Sequence, residues 1–197
     1  DQMPELLPTA VRSQEDWNFY HHGGISGFHL RGSVVDNLKS NKFRRGASTM
    51  TMQLARNLFL TRKKTLSRKF QEVILAWLLE QRLDKNEIMA LYLNVVEFGP
   101  DIYGIGEAAE HYFGKAPADL SPPEMLWIVC LLPGPRLYYG SFQRGKLTRG
   151  RTTRINMSLA TFLKREGLKE EDAAPIGPED LWPDGNGGRA KATIGGI

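Results

Sequence analysis

Apolar positions recur with a helical period along most of the chain. From Leu66 they fall at Phe70, Val73, Ile74, Trp77 and Leu78, one stripe of a 3.6-residue helix, with Arg68, Lys69 and Glu72 outside it. A second helix is expected from Asp84, whose carboxylate caps while Glu87 reaches back; Ile88, Leu91, Tyr92 and Val95 form its apolar face. A third opens at Ser121, with Pro122 at the first helical position and Glu124 closing a capping box, and Pro133 ends it. Further helices are expected over 5–14, 30–40, 48–60, 105–113 and 148–165. No stretch sustains a two-residue alternation, so no sheet is expected and the fold class is mainly α.

A length of 197 residues, 41% hydrophobic and 24% charged, suits one principal domain with a continuous core. The domain is placed at 1–172. Beyond Glu171 the chain turns to Ala, Pro, Gly and Asp, and 173–197 reads as a flexible tail or linker. The chain opens on Asp1 without a leader pattern, and is expected to be a processed or excised piece. No apolar run approaches the roughly 20 residues that cross a bilayer; the longest, Met125 to Leu132, stops at Pro133. Cys130 is the sole cysteine, which excludes an intrachain disulfide and leaves no CxxC metal spacing.

The net charge of +4 conceals an uneven distribution. Lys39, Lys42, Arg44, Arg45, Arg56, Arg62, Lys63, Lys64, Arg68 and Lys69 occupy one stretch free of Asp and Glu, a local attractor for anions. A solvated face, nucleic acid, acidic lipid and pyrophosphate are all compatible with that block on charge alone.

Three places carry candidate chemistry. Residues 15–24 join Glu15, Asp16, an aromatic pair, His21, His22 and two glycines, the composition of a turn that exposes functional side chains or of a plain helix end. The adjacent histidines lack the spacing of helical zinc ligands, and His22 reads as holding the loop by hydrogen bonds. Gly46, Ser48 and Thr49 precede an apolar helix, as an anion-binding helix start or an ordinary cap. Arg68 and Glu72 stand four apart on one helix, able to pair.

In this order and spacing the pieces resemble family 51 glycosyltransferases, which occur alone and as the first domain of bifunctional penicillin-binding proteins. The resemblance runs from about Leu6 to Lys169. Glu15, Asp16, Phe19, His22 and Gly24 match Glu-Asp-x-x-Phe-x-x-His-x-Gly. Gly46, Ser48, Thr49, Met50 and Gln53 match Gly-x-Ser-Thr-Ile-x-Gln-Gln, with Met52 at the first Gln. Arg68, Lys69 and Glu72 match Arg-Lys-x-x-Glu, and 85–94 resembles the fourth motif, with Ala90 where Glu is common. Met52 is expected to take a polar group from the glycan cleft, Ala90 a carboxylate, and Gln71 a basic charge.

The resemblance implies a lysozyme-like helical head with a small membrane-proximal lobe, assigned to 28–45, where Phe28, Leu30, Val34, Val35 and Leu38 either touch lipid or pack inside. It implies an inverting peptidoglycan glycosyltransferase that polymerises a lipid-linked disaccharide-pentapeptide (lipid II) into β1,4 glycan and releases undecaprenyl pyrophosphate. Glu15 would be the general base on the acceptor 4-hydroxyl, Asp16 its assistant, and Glu72 the second carboxylate, near the pyrophosphate or holding a divalent cation, Mg²⁺ or Mn²⁺. Arg56, Lys64, Arg68 and Lys69 would neutralise phosphate, with His22, Ser48, Thr49 and Gln53 also at the substrate. Expected partners are lipid II, the growing strand, the membrane surface and a transpeptidase domain or other cell-wall synthesis proteins; nucleic acid is not expected. The expected location is the outer face of the bacterial cytoplasmic membrane, held by an anchor segment absent from this chain. Two rival readings are a weakened domain that binds lipid II or glycan as a scaffold, and a lysozyme-like enzyme that cleaves glycan.

Overall fold

The computed structural model describes residues 6–27, 48–61, 63, 65–166, 175–177 and 179–182. The expected helix 30–40, the lobe assigned to 28–45, and Lys64 lie outside the described residues. Eight helices are described: α1 (Leu6–Glu15), α2 (Met50–Phe59), α3 (Leu66–Glu80), α4 (Lys85–Val95), α5 (Ile105–Phe113), α6 (Pro122–Leu131), α7 (Pro135–Gln143) and α8 (Arg149–Glu166). The mainly α expectation holds. The chain divides into two compact units, one of residues 1–14 with 97–197, the other of residues 15–96.

In the 15–96 unit, α2 packs on both α3 and α4. Thr49 caps α2 by accepting the amide of Met52, and Thr65 caps α3 by accepting that of Arg68. Asp84 accepts the amides of Asn86 and Glu87 while Glu87 takes the Asp84 amide, so the capping box starts α4 where expected. Phe19, Met50, Leu54, Ile88, Tyr92 and Leu93 fill the core.

One element of this unit reverses its expected orientation. The apolar stripe of α3 faces out: Leu66, Phe70, Ile74, Trp77 and Leu78 are exposed, whereas Glu72 and Ala76 are the buried positions. Periodicity identifies a stripe but not which side finds cover; here hydrogen bonds and ion pairs on the polar side fix the inner face.

In the other unit α6 packs on α8, and α7 on a hairpin of β1 (Glu97–Gly99) and β2 (Ile102–Tyr103), which pair antiparallel. The hairpin was not expected, being too short for an alternation to register. A Cβ at Gly99 would overlap the Tyr112 hydroxyl, which donates to the Phe98 carbonyl at 2.9 Å. At α6, Glu124 accepts the amide and hydroxyl of Ser121 at 2.8 and 2.9 Å. An aromatic core gathers Tyr112, Trp127, Phe142 and Trp182, with Tyr112–Trp127 and Trp127–Trp182 centroids 4.6 and 4.9 Å apart.

That core draws in part of the expected tail. Ile176, Leu181 and Trp182 are buried, Asn156 exchanges two hydrogen bonds with the Ile176 backbone, and the Trp182 indole donates to the Tyr112 carbonyl at 3.2 Å. Average composition over 173–197 hides these three anchors among Pro and Gly.

Candidate active site

The first motif leaves α1 at Glu15 and turns through a short 3₁₀ segment, Phe19–His21, into Gly24. Gly24 has φ 83°, and a Cβ there would meet the Ala76 carbonyl oxygen and Glu80 Cγ, both at 3.1 Å. Only glycine lets the loop lie this close to α3. The Thr49 hydroxyl, fully buried, donates to the Gly24 carbonyl at 2.6 Å, fastening the loop to the start of α2.

The two adjacent carboxylates of this motif have separate environments. Asp16 is 1% exposed; its oxygens accept the Met50 amide at 3.0 Å and His22 Nε2 at 2.9 and 3.1 Å. A carboxylate at the first amide of a helix also meets the positive end of its dipole. Asp16 and His22 thereby hold the loop on α2. Glu15, half-buried, has its Oε2 bonded by Gln53 Nε2 at 3.1 Å.

Gln53 is held from behind. Tyr92 donates to Gln53 Oε1 at 3.2 Å, which turns the amide so that its NH₂ faces Glu15. Burial, reinforced by the charge of Glu15 and opposed by Arg56, pushes the Tyr92 phenol well above its ordinary value. Tyr92 therefore stays a neutral donor. It belongs to the fourth motif, where periodicity reads it only as a core residue.

The third motif forms a second polar centre. Glu72 is 1% exposed, and Lys69 Nζ bridges its Oε2 at 2.8 Å and the Ser48 hydroxyl at 2.6 Å. Arg68 Nε stands 3.6 Å from Glu72 Oε1, and neither atom has a hydrogen-bond partner. A buried carboxylate oxygen and guanidinium nitrogen left short of partners are suited to receive a ligand oxygen or proton. Arg56, on α2, is half-buried.

The structure thus joins Glu15 with Gln53, Asp16 with His22, and Ser48 with Lys69 and Glu72. Met52 is 3% exposed within the core, and Gln71 and Ala90 lie on exposed surface. A resident divalent cation is not well matched to Glu72, whose oxygens face Lys69 and Arg68, and no cluster of three His, Cys, Asp or Glu able to hold a metal occurs among the described residues.

The site thus offers a buried carboxylate between two cations, Glu72, and a second carboxylate, Glu15, held separately by Gln53. The profile described as Transglycosylase matches residues 1–160. A biosynthetic peptidoglycan transglycosylase of Herminiimonas arsenicoxydans is 41% identical over 164 residues, 83% of this chain and 68% of that protein. Its namesake in Janthinobacterium sp. (strain Marseille) is 42% identical over 134 residues, 68% of this chain and 58% of the relative. Penicillin-binding protein 4 of Bacillus subtilis (strain 168) is 35% identical over 191 residues, 93% of this chain and 30% of its own length. The chain belongs to the transglycosylase family.

Proposed function

We propose that this chain is a peptidoglycan glycosyltransferase that extends β1,4 glycan from lipid II and releases undecaprenyl pyrophosphate at the outer face of the cytoplasmic membrane. The observation that carries this reading is the Arg68–Lys69–Glu72 centre, with its buried, incompletely bonded carboxylate and guanidinium. A cleaving lysozyme-like enzyme has no pyrophosphate to meet and no use for such a centre.

Glu15 takes the proton of the acceptor 4-hydroxyl as that oxygen attacks the donor anomeric carbon, and the C–O bond to pyrophosphate breaks with inversion. Arg68, Lys69 and Arg56 stabilise the charge that develops on the leaving phosphate; the planar fork of Arg suits two phosphate oxygens. Glu72 holds the two cations of its own helix in place. Relatives named as penicillin-binding proteins support a transpeptidase domain as a working partner.

The test is polymerisation of labelled lipid II in detergent by the parent and by Glu15→Gln. Loss of a general base costs roughly 10²- to 10⁴-fold, so the parent should give glycan ladders and the variant essentially none. A parent that binds lipid II without making polymer would replace this reading with the scaffold.

A further inference from the structure

A groove of about 470 Å³ lies between α1, α6 and α8, and every residue lining it belongs to the unit of residues 1–14 and 97–197. Leu126 and Val129 of α6, both buried, form its floor, with Ala10 and Gln14 of α1 on one side and Met157 and Thr161 of α8 on the other. Pro133 can offer the Val129 carbonyl no i+4 donor; the Gln14 amide supplies one at 2.7 Å and fastens α1 to α6. The groove is therefore pre-formed, and an occupant need not order its walls. Met157 is 66% exposed at its edge. A flexible thioether beside an apolar floor is the kind of contact that helix-binding grooves use.

Charge narrows the occupant. No Asp or Glu occurs between Glu124 and Glu166, and Glu124 is committed to Lys115 at 2.9 and 3.0 Å and to its capping box. Arg151 turns away onto α7, donating to the Leu137 carbonyl at 3.1 Å with its guanidinium over the Tyr138 ring. Arg149, Arg154 and Lys164 are exposed, and at about 100° per residue all three stand within roughly a quarter turn of Met157. The groove thus has an apolar floor and a basic rim. A phosphate chain would meet the rim and leave the floor unused, whereas an amphipathic helix with acidic flanks uses both.

We propose that this groove docks an acidic amphipathic helix of a partner protein, whose apolar side chains enter between α1 and α8 while its carboxylates meet Arg149, Arg154 and Lys164. The proposal does not rest on the glycosyltransferase reading, since none of these residues belongs to the candidate active site.

The probe is a fluorescein-labelled helical peptide of about 16 residues, with Leu at helical spacing and Glu on the flanks, beside a copy in which every Glu is Gln. By fluorescence anisotropy the parent should bind the Glu peptide about tenfold more tightly than the Gln peptide. Met157→Glu and Arg154→Glu, both at exposed positions, should each weaken the Glu peptide about tenfold, and Met157→Ser should weaken it less. Circular dichroism should show equal helicity throughout. Amide exchange should slow on α1, α6 and α8 when the Glu peptide is added. Equal binding by the parent and both Glu variants would overturn the proposal, as would protection confined to residues 15–96. Inorganic polyphosphate that protects the same amides as tightly as the peptide would also overturn it, because charge alone would then account for the surface. A parent dimer in sedimentation velocity that Met157→Glu dissociates would make the occupant a second copy instead. A parent that binds the Glu peptide but makes no polymer from lipid II in detergent would sink the glycosyltransferase reading and leave the docking groove standing.

Discussion

Tyr92 reaches the candidate base through one intermediary. Its hydroxyl fixes the Gln53 amide, and the amide fixes one oxygen of Glu15. Tyr92→Phe keeps the buried ring but frees the amide to turn its oxygen toward the carboxylate. A misorientation worth about 1 kcal/mol lowers kcat roughly fivefold. KM for lipid II should stay unchanged, because the phenol is fully buried behind Gln53. In a double-mutant cycle, Tyr92→Phe should cost nothing further once Gln53→Ala is present, and additive losses would show that Tyr92 acts by packing alone. Glu15, Asp16, Gln53 and Glu72 were legible in the sequence as motif residues. The division of labour was not: whether Asp16 meets solvent or a helix start depends on residues 34 positions apart.

Elements α2, α3 and α4 converge on Glu80. Its Oε1 accepts the Thr51 hydroxyl at 2.6 Å and Lys85 Nζ at 2.7 Å, and the Lys85 ammonium also stands 4.4 Å from the centroid of the Phe19 ring. Helix starts at Asp84 and Ser121 were readable because capping is local. This junction was not, since Thr51 stands 29 positions from Glu80 and only the packing of the helices brings them together. Helix α7 is not among the expected helices: Gly134 and Gly140 weaken its helical signal, although Pro135 is favoured in a first helical turn. Lys85→Met leaves a nearly buried carboxylate with Thr51 alone and should destabilise by about 3 kcal/mol, or roughly 6–12 °C in Tm. Adding Glu80→Gln should recover part of the loss, because a neutral amide can still accept from Thr51. No recovery would mean that lost packing on Phe19, rather than the stranded charge, sets the cost.

Each of the two units buries a tyrosine whose phenol burial pushes up, Tyr92 in one and Tyr112 in the other, and burial also raises the Cys130 thiol. All three groups are neutral when protonated, so the raised folded values give a common sign. Below the ordinary values, 9.0 for the thiol and 10.0 for the phenols, folded and unfolded chains hold the same protons and stability is indifferent to pH through these groups. Above them the unfolded chain sheds protons that the folded chain keeps, and stability falls by about 1.4 kcal/mol per pH unit for each fully shifted group. Urea midpoints should therefore be level at pH 8 and drop steeply between about pH 10 and 11. Tyr112→Phe isolates one contribution. It loses the hydrogen bond to the Phe98 carbonyl, worth about 1 kcal/mol near neutrality, but no longer carries a phenol that ionises on unfolding. The parent and variant stabilities should converge as pH rises and meet within about one unit of the tyrosine threshold. Parallel curves would show that the Tyr112 phenol ionises as readily folded as unfolded, and that the aromatic core around Trp127 and Trp182 admits water.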